Sequence, residues 1–226
     1  MYANRFILYL TRLTRCAGSY ESEIRMKISI IGAGHVGGAL GSGWAKHGHE
    51  ITFGVRNPKK TDSATTAKVV SMMEAAQSSD VIILSVPWSA VPDALSAGDL
   101  KGKILLDATN PLLPDLSGLD TASGTSGGEK VAALSGAAVV KIFNTTGYPN
   151  MANPDYHGQR ATMFYCGDDD NAKRIAAGLA SDLGFEPVDS GPLRHAHLLE
   201  SLALLWITLA LKQGYGVNMA FKMMRR

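Results

Sequence analysis

The chemistry in this chain is concentrated in Gly32-Ala33-Gly34-His35-Val36-Gly37 and in a cation further on, Arg56. Glycines at the first, third and sixth places allow a tight turn, a close backbone approach to a diphosphate, and close packing of helix on strand. Free N–H groups at the start of the next helix, with its dipole, favour an anion. The spacing predicts a dinucleotide held at Gly32, Ala33, Gly34, His35, Val36 and Gly37. Its identity is decided at the end of the next strand, where NAD sites place a carboxylate for the ribose hydroxyls. Here the chain reads Val55-Arg56-Asn57-Pro58-Lys59-Lys60, with no acid until Asp62. A guanidinium can grip a 2′-phosphate bidentately, and a lysine one turn later adds charge. The expected cofactor is NADP, with Arg56 and Lys60 around the phosphate. One charge-assisted pair would give roughly 10- to 100-fold preference over NAD. The bland alternatives are a glycine turn that only packs helix on sheet, and a solvated basic turn.

These residues need elements to position them. Lys27 to Ile31 is a β-branched run, as in a strand buried on both faces of a parallel sheet. Val36 to His47 reads as a helix stopped by Gly48, and Glu50 to Val55 as the next strand. Strand, helix and strand fit the βαβ unit that this glycine spacing requires. Further along, Ser63 to Gln77 reads as a surface helix, Val81 to Val86 as a buried strand and Trp88 to Leu95 as a short helix. Lys103 to Asp107 is a strand, Leu116 to Gly128 a loop, Glu129 to Leu134 a helix and Ala138 to Phe143 a strand. Thr162 to Cys166 and Glu186 to Val188 are strands flanking an amphipathic helix that ends at Leu183. From Pro192 to about Gln213 the chain is helical and apolar nearly all round, so it requires burial by the sheet or by a second subunit. The expected fold is α/β: a Rossmann-type doubly wound parallel sheet with extra C-terminal strands and a buried apolar C-terminal helix. A homodimer is expected from that helix.

Composition narrows the class. The 226 residues suit one full domain, read here as residues 26–226 after an N-terminal extension over 1–25 that ends just before Met26. A charged fraction of 19% with 46% hydrophobic residues argues for a globular enzyme rather than disorder. A formal charge of +2, without a basic stripe, gives no reason to expect nucleic acid. No apolar run reaches the roughly 18 residues of a membrane span. Two cysteines, Cys16 and Cys166, form no disulfide framework or metal spacing, so a reducing cytoplasm is the expected setting.

In such sheets ligands bind at the carboxyl ends of the strands. The residues there include Ser85-Val86-Pro87-Trp88, Thr109-Asn110-Pro111 and Asn144-Thr145-Thr146. The set is poor in acids and bases, and there is no Tyr-x-x-x-Lys pair. No catalytic residue and no metal ligand is assigned. Hydride exchange between two redox rings suits such a site, because the protein has only to position the rings and exclude water. A non-catalytic NADP-binding module that senses redox state for a partner protein is the alternative.

From Met26 onward the chain resembles the NADPH-dependent reductases of coenzyme F420, a deazaflavin, and the NADP-binding domain of six-transmembrane ferric reductases. The resemblance rests on the glycine turn, Val55-Arg56, Val86-Pro87-Trp88, Asp107-Ala108-Thr109-Asn110-Pro111 and Val139-Val140-Lys141-Ile142-Phe143-Asn144-Thr145. It continues through Gly167-Asp168-Asp169, Asp189-Ser190-Gly191-Pro192-Leu193 and Leu199-Glu200-Ser201-Leu202. The resemblance implies the 2′-phosphate on Val55, Arg56 and Lys60 and the nicotinamide near Val86 and Pro87, with Ser85 and Asn110, at the neighbouring strand ends, also expected to bind the cofactor. It places a second redox ring, from coenzyme F420 or a flavin (FMN or FAD), near Asn144 and Thr146, with Ser201 in contact. Asn144 departs from the deazaflavin pattern, where a histidine is expected, and follows the ferric-reductase branch. The acceptor is therefore open.

Overall fold

The computed structural model describes residues 25–60, 67–79, 81–121 and 124–226. Apart from Arg25, the expected N-terminal extension lies outside the described residues, as does Asp62. Among these residues eight strands form one open sheet, in the order β10-β9-β6-β5-β4-β1-β2-β3. They are β1 (Lys27–Ile31), β2 (Glu50–Val55), β3 (Lys68–Ser71), β4 (Val81–Leu84), β5 (Ile104–Asp107), β6 (Ala138–Lys141), β9 (Thr162–Gly167) and β10 (Glu186–Asp189). The two-stranded β7 (Asp155–Tyr156) and β8 (Gln159–Arg160) form a separate hairpin. The first six sheet strands run parallel in the Rossmann order, and β9 joins β6 antiparallel.

Among the described residues there are seven helices: α1 (His35–Lys46), α2 (Met72–Ser78), α3 (Val91–Ser96), α4 (Gly127–Ser135), α5 (Tyr148–Ala152), α6 (Asp170–Asp182) and α7 (Ala196–Ile207), of which α5 packs on α1. Because strand side chains alternate, each buried strand feeds two cores. Ile28 and Ile30 pack with Leu40 and Trp44 of α1 and with Ala176 and Leu179 of α6. Ile31, Ile82 and Leu84 pack on the other face with Ala76, Leu95, Val131 and Leu199, from α2, α3, α4 and α7. The apolar runs in the central strands are the consequence of this two-sided burial.

Two expectations are corrected. Residues 68–71 are an edge strand paired with β2 rather than part of a surface helix, and the helix begins only at Met72. Ser71 caps that helix by accepting from the Glu74 N–H, which is why the chain changes conformation there. The segment from Leu116 to Gly128 is not all loop: α4 starts at Gly127, with Ser126 and Glu129 forming a capping box. The apolar C-terminal helix runs as a short 3-10 turn, then α7, then a π turn over Thr208–Lys212. Its inner face, with Leu199, Glu200, Ala203 and Trp206, is buried, while Leu198, Leu205 and Leu211 stay about half exposed.

Candidate functional site

The site lies where the chain switches direction, between the carboxyl ends of β1 and β4. Gly32 has φ +111°, and a Cβ there would stand 2.6 Å from the Ser85 carbonyl oxygen. Gly37 has no room either: its Cβ would meet the Gly32 carbonyl oxygen at 2.1 Å. Both glycines are demanded by the protein's own packing. Gly34 is different. Its backbone is ordinary extended chain, and a Cβ there would meet nothing within 4 Å. No side chain caps α1 and its first turn holds no acid, so its leading N–H groups remain available to an anion. The open space in front of Gly34 and these donors fit a dinucleotide diphosphate.

Two cavities meet at this point, sharing Gly34, Ser85, Val86 and Pro87. The smaller, about 290 Å³, is lined by Gly32, Ala33, Val55, Arg56 and Met72. Arg56 is 74% exposed, with its guanidinium 4.0 Å from the equally exposed Asp93 carboxylate. Lys60 closes a 3-10 turn, and its side chain lies outside the described residues. The larger cavity, about 890 Å³, runs from His35 and Val36 past Asn110 to Lys130 and Leu134. Ser85 fixes the floor between the two, its hydroxyl donating to the Gly32 carbonyl at 3.0 Å.

Asn110 and Asn144 form a reciprocal pair. The Asn110 amide donates to the Asn144 backbone carbonyl, and the Asn144 amide donates to the Asn110 side-chain oxygen, both at 3.0 Å. Asn144 Oδ1 is buried without a partner. The preceding Phe143 is buried with φ +62°, a left-handed conformation that costs a bulky residue about 1–3 kcal/mol. That turn ends β6 and brings Asn144 against Asn110. Asn144, Thr146 and Ser201 are not among the residues lining either cavity. The Thr146 hydroxyl accepts from Asn150, and Ser201 donates to His197 in its own helix.

Behind the cleft stands a cluster that the sequence did not reveal. Lys141, Asp107 and Glu200 are fully buried, and the Lys141 ammonium lies 2.9 Å from Asp107 and 3.1 Å from Glu200. It also donates to the Thr109 carbonyl at 2.6 Å. Asp107 accepts from the Thr109 N–H and hydroxyl, and Glu200 from the N–H groups of Gly127 and Gly128 at the start of α4. Burial alone would lower the lysine's pKa. The two carboxylates outweigh it and hold Lys141 above the usual lysine range. The triad thus ties β5, β6, α4 and α7 together directly under Thr109 and Asn110. The signal available in the sequence was Glu200, an acid inside an otherwise apolar helix.

Sequence reasoning also missed Tyr148, whose ring stacks on His35 at 4.8 Å, and the wall formed by Leu112, Leu113 and Leu116. No group of three metal-ligating side chains occurs among the described residues. No helix among them is long and apolar enough to cross a membrane.

Residues 27–111 match the family model described as NADP oxidoreductase coenzyme F420-dependent. The metalloreductase STEAP3 of Rattus norvegicus is 31% identical over 182 residues, which is 79% of this chain but only 36% of that protein. The chain therefore spans about a third of the length of this curated relative. An Arthrobacter sp. FB24 crystal structure, provisionally described as an F420-dependent NADP reductase, is 30% identical. It aligns with a TM-score of 0.80, covering 88% of this chain and all of that one. The hypothetical protein SMa0349 from Sinorhizobium meliloti is 33% identical with a TM-score of 0.68, over 74% of this chain and 86% of that one.

Proposed function

This chain belongs to the coenzyme F420-dependent NADP oxidoreductase family, and from that premise we propose that it moves a hydride between NADP(H) and a deazaflavin or flavin. The observation that carries the reading is the pair of joined cavities, a small one beside Arg56 and a larger apolar one, meeting in front of Gly34. Bound there, NADP supplies the hydride-carrying nicotinamide ring. The residues do the positioning. The α1 N–H groups hold the diphosphate, while Arg56, Val55 and Lys60 take the 2′-phosphate. Val86 and Pro87 back the ring, and Asn110 orients it with an amide that Asn144 fixes in turn. An acceptor ring would stand beside Asn110 in the larger cavity, and Asn144, Thr146 and Ser201 are assigned to it on the family resemblance. The apolar walls would exclude water from two rings held there, which is what direct hydride exchange requires of the protein.

A homodimer through the exposed Leu198, Leu205 and Leu211 face belongs to the same reading. So does a reducing, cytoplasmic setting, in keeping with the fully buried free thiol of Cys166, whose pKa burial pushes up to about 12. The test is anaerobic mixing of NADPH with coenzyme F420, FMN and FAD in turn. Loss of dihydronicotinamide absorbance with at least one acceptor is expected. Tight NADPH binding with no oxidation by any of them would sink the enzyme reading in favour of a redox-sensing module.

A further inference from the structure

The hydrogen bonds of the Lys141 triad are complete, yet its charges do not cancel. Asp107 Oδ1 accepts from the Thr109 N–H and hydroxyl, and Oδ2 from the Lys141 ammonium. Glu200 Oε1 accepts from the Gly128 N–H and lies 3.1 Å from Lys141, and Oε2 accepts from the Gly127 N–H. A proton on either carboxylate would displace one of these donors, so both are held ionised. Among the described residues no second cation lies within ion-pair distance of either one. Two carboxylates against a single ammonium leave one negative charge in surplus. The N–H groups at the start of α4 spread that charge but carry no net charge of their own. The buried Cys166 thiol, which feels both Lys141 and Glu200, has its pKa pushed up to about 12 and adds none.

This surplus stands one residue behind the cleft. Thr109, only 3% exposed, lines the larger cavity, and its carbonyl, N–H and hydroxyl are all bonded to the triad. Asn110 follows it in the same wall. A buried charge is screened far less than one at the surface, so its field reaches into the cleft. The two forms of a nicotinamide ring respond to that field differently. The oxidised ring carries a positive charge, and the reduced ring is neutral.

We infer that the Lys141–Asp107–Glu200 triad poises the cofactor as a hydride donor, its surplus negative charge favouring the cationic, oxidised nicotinamide over the neutral, reduced one. This rests on the hydride-transfer reading above and adds a direction to it. A hydride, two electrons with one proton, passes to the deazaflavin or flavin ring, and the positive charge left on the nicotinamide is what the triad stabilises. The three side chains lie behind Thr109 and touch neither ring. They are positioning residues, acting through the wall they hold and the field they set across it.

The readout is the ratio of two dissociation constants, Kd for NADPH over Kd for NADP+, from isothermal titration. A change that merely loosens the site weakens both forms alike and leaves this ratio unmoved. Glu200→Gln and Asp107→Asn each cancel the surplus charge, and either should lower the ratio about 3- to 10-fold. Tenfold corresponds to about 30 mV in the potential of the bound two-electron couple. Thr109→Val removes a bond to Asp107 but no charge, and should keep the ratio within about 2-fold of native even where both affinities fall. In the native protein the ratio should exceed 1 and hold from low to high salt, because a buried charge is screened little. A native ratio below 1, or one that slides with salt, overturns the inference even if both carboxamide variants fail to fold. So does an unmoved ratio in a folded Glu200→Gln or Asp107→Asn, or an equal shift in Thr109→Val. If no acceptor oxidises NADPH yet the ratio moves as expected, the charge bias stands and the hydride-transfer reading falls.

Discussion

Two sets of charges in this protein are built to opposite rules. At the mouth of the cleft, Arg56 and Asp93 face each other at 4.0 Å, both about three-quarters exposed. Behind the cleft, Lys141, Asp107 and Glu200 are wholly buried, and backbone and hydroxyl donors complete the coordination of both carboxylates. Water screens the first pair, so it contributes little to the fold and its guanidinium remains available to a stronger anion. The second set was desolvated at high cost, and only complete pairing makes it tolerable. On the proposed reading, the charge kept for a ligand is left unsaturated, whereas the charges that hold the frame are saturated.

The largest expected effect comes from breaking the saturated set. Lys141→Met leaves two buried carboxylates without their cation and should cost about 3–5 kcal/mol of stability, read from urea unfolding. A loss below about 1 kcal/mol would mean the triad is not saturated as described. The pH dependence has a definite sign. Lys141 has a folded pKa above its unfolded one. Its stabilisation is therefore fully present below about pH 10.5 and is lost as pH rises through the folded value. In the native protein the urea midpoint should fall in that alkaline range.

The same contrast recurs in the glycine turn. Gly37→Ala would drive a Cβ to 2.1 Å from the Gly32 carbonyl oxygen, so α1 must move, at a cost of about 1–3 kcal/mol. Gly34→Ala meets open space and should cost less than about 1 kcal/mol. It should nevertheless weaken NADPH binding about 10-fold, because the methyl group stands where the diphosphate needs the backbone. Equal binding losses accompanied by equal stability losses would erase the distinction between packing and ligand glycines.

How far the sequence could be read follows the same division. The strands buried on both faces were legible because two-sided burial writes itself as a continuous apolar run, as in Val81–Leu84. The edge strand Lys68–Ser71 was not: only Val70 is buried, so its pattern looks like helix surface. The placement of the glycine turn and of Arg56, at the ends of β1 and β2, was legible because local spacing carries it. The Lys141 triad was not, since its members stand far apart in sequence and each looks ordinary alone. The Leu112–Leu119 wall was hidden for a related reason. Its order comes from a single bridge and a few backbone bonds, which leave no periodicity.

Arg56→Ala probes the unsaturated set. Removing the guanidinium should weaken NADPH binding about 10-fold and leave NADH nearly unchanged, with the urea midpoint unmoved. Equal losses for both nucleotides would refute the assignment of Arg56 to the 2′-phosphate.

The smallest effect is the most discriminating. Asp93 competes with a 2′-phosphate for Arg56 if the exposed pair is only a resting contact. Asp93→Asn should then leave stability within about 0.5 kcal/mol of native, as surface changes usually do. It should tighten NADPH binding about 2- to 3-fold at low salt and not at high salt, because the competition acts between screened, exposed charges. Isothermal titration at two salt concentrations would separate the cases. Weaker NADPH binding in the variant would show instead that Asp93 holds Arg56 in its working position. The mouth of the cleft would then be preorganised like the triad behind it, and the contrast between the two charge sets would narrow to burial alone.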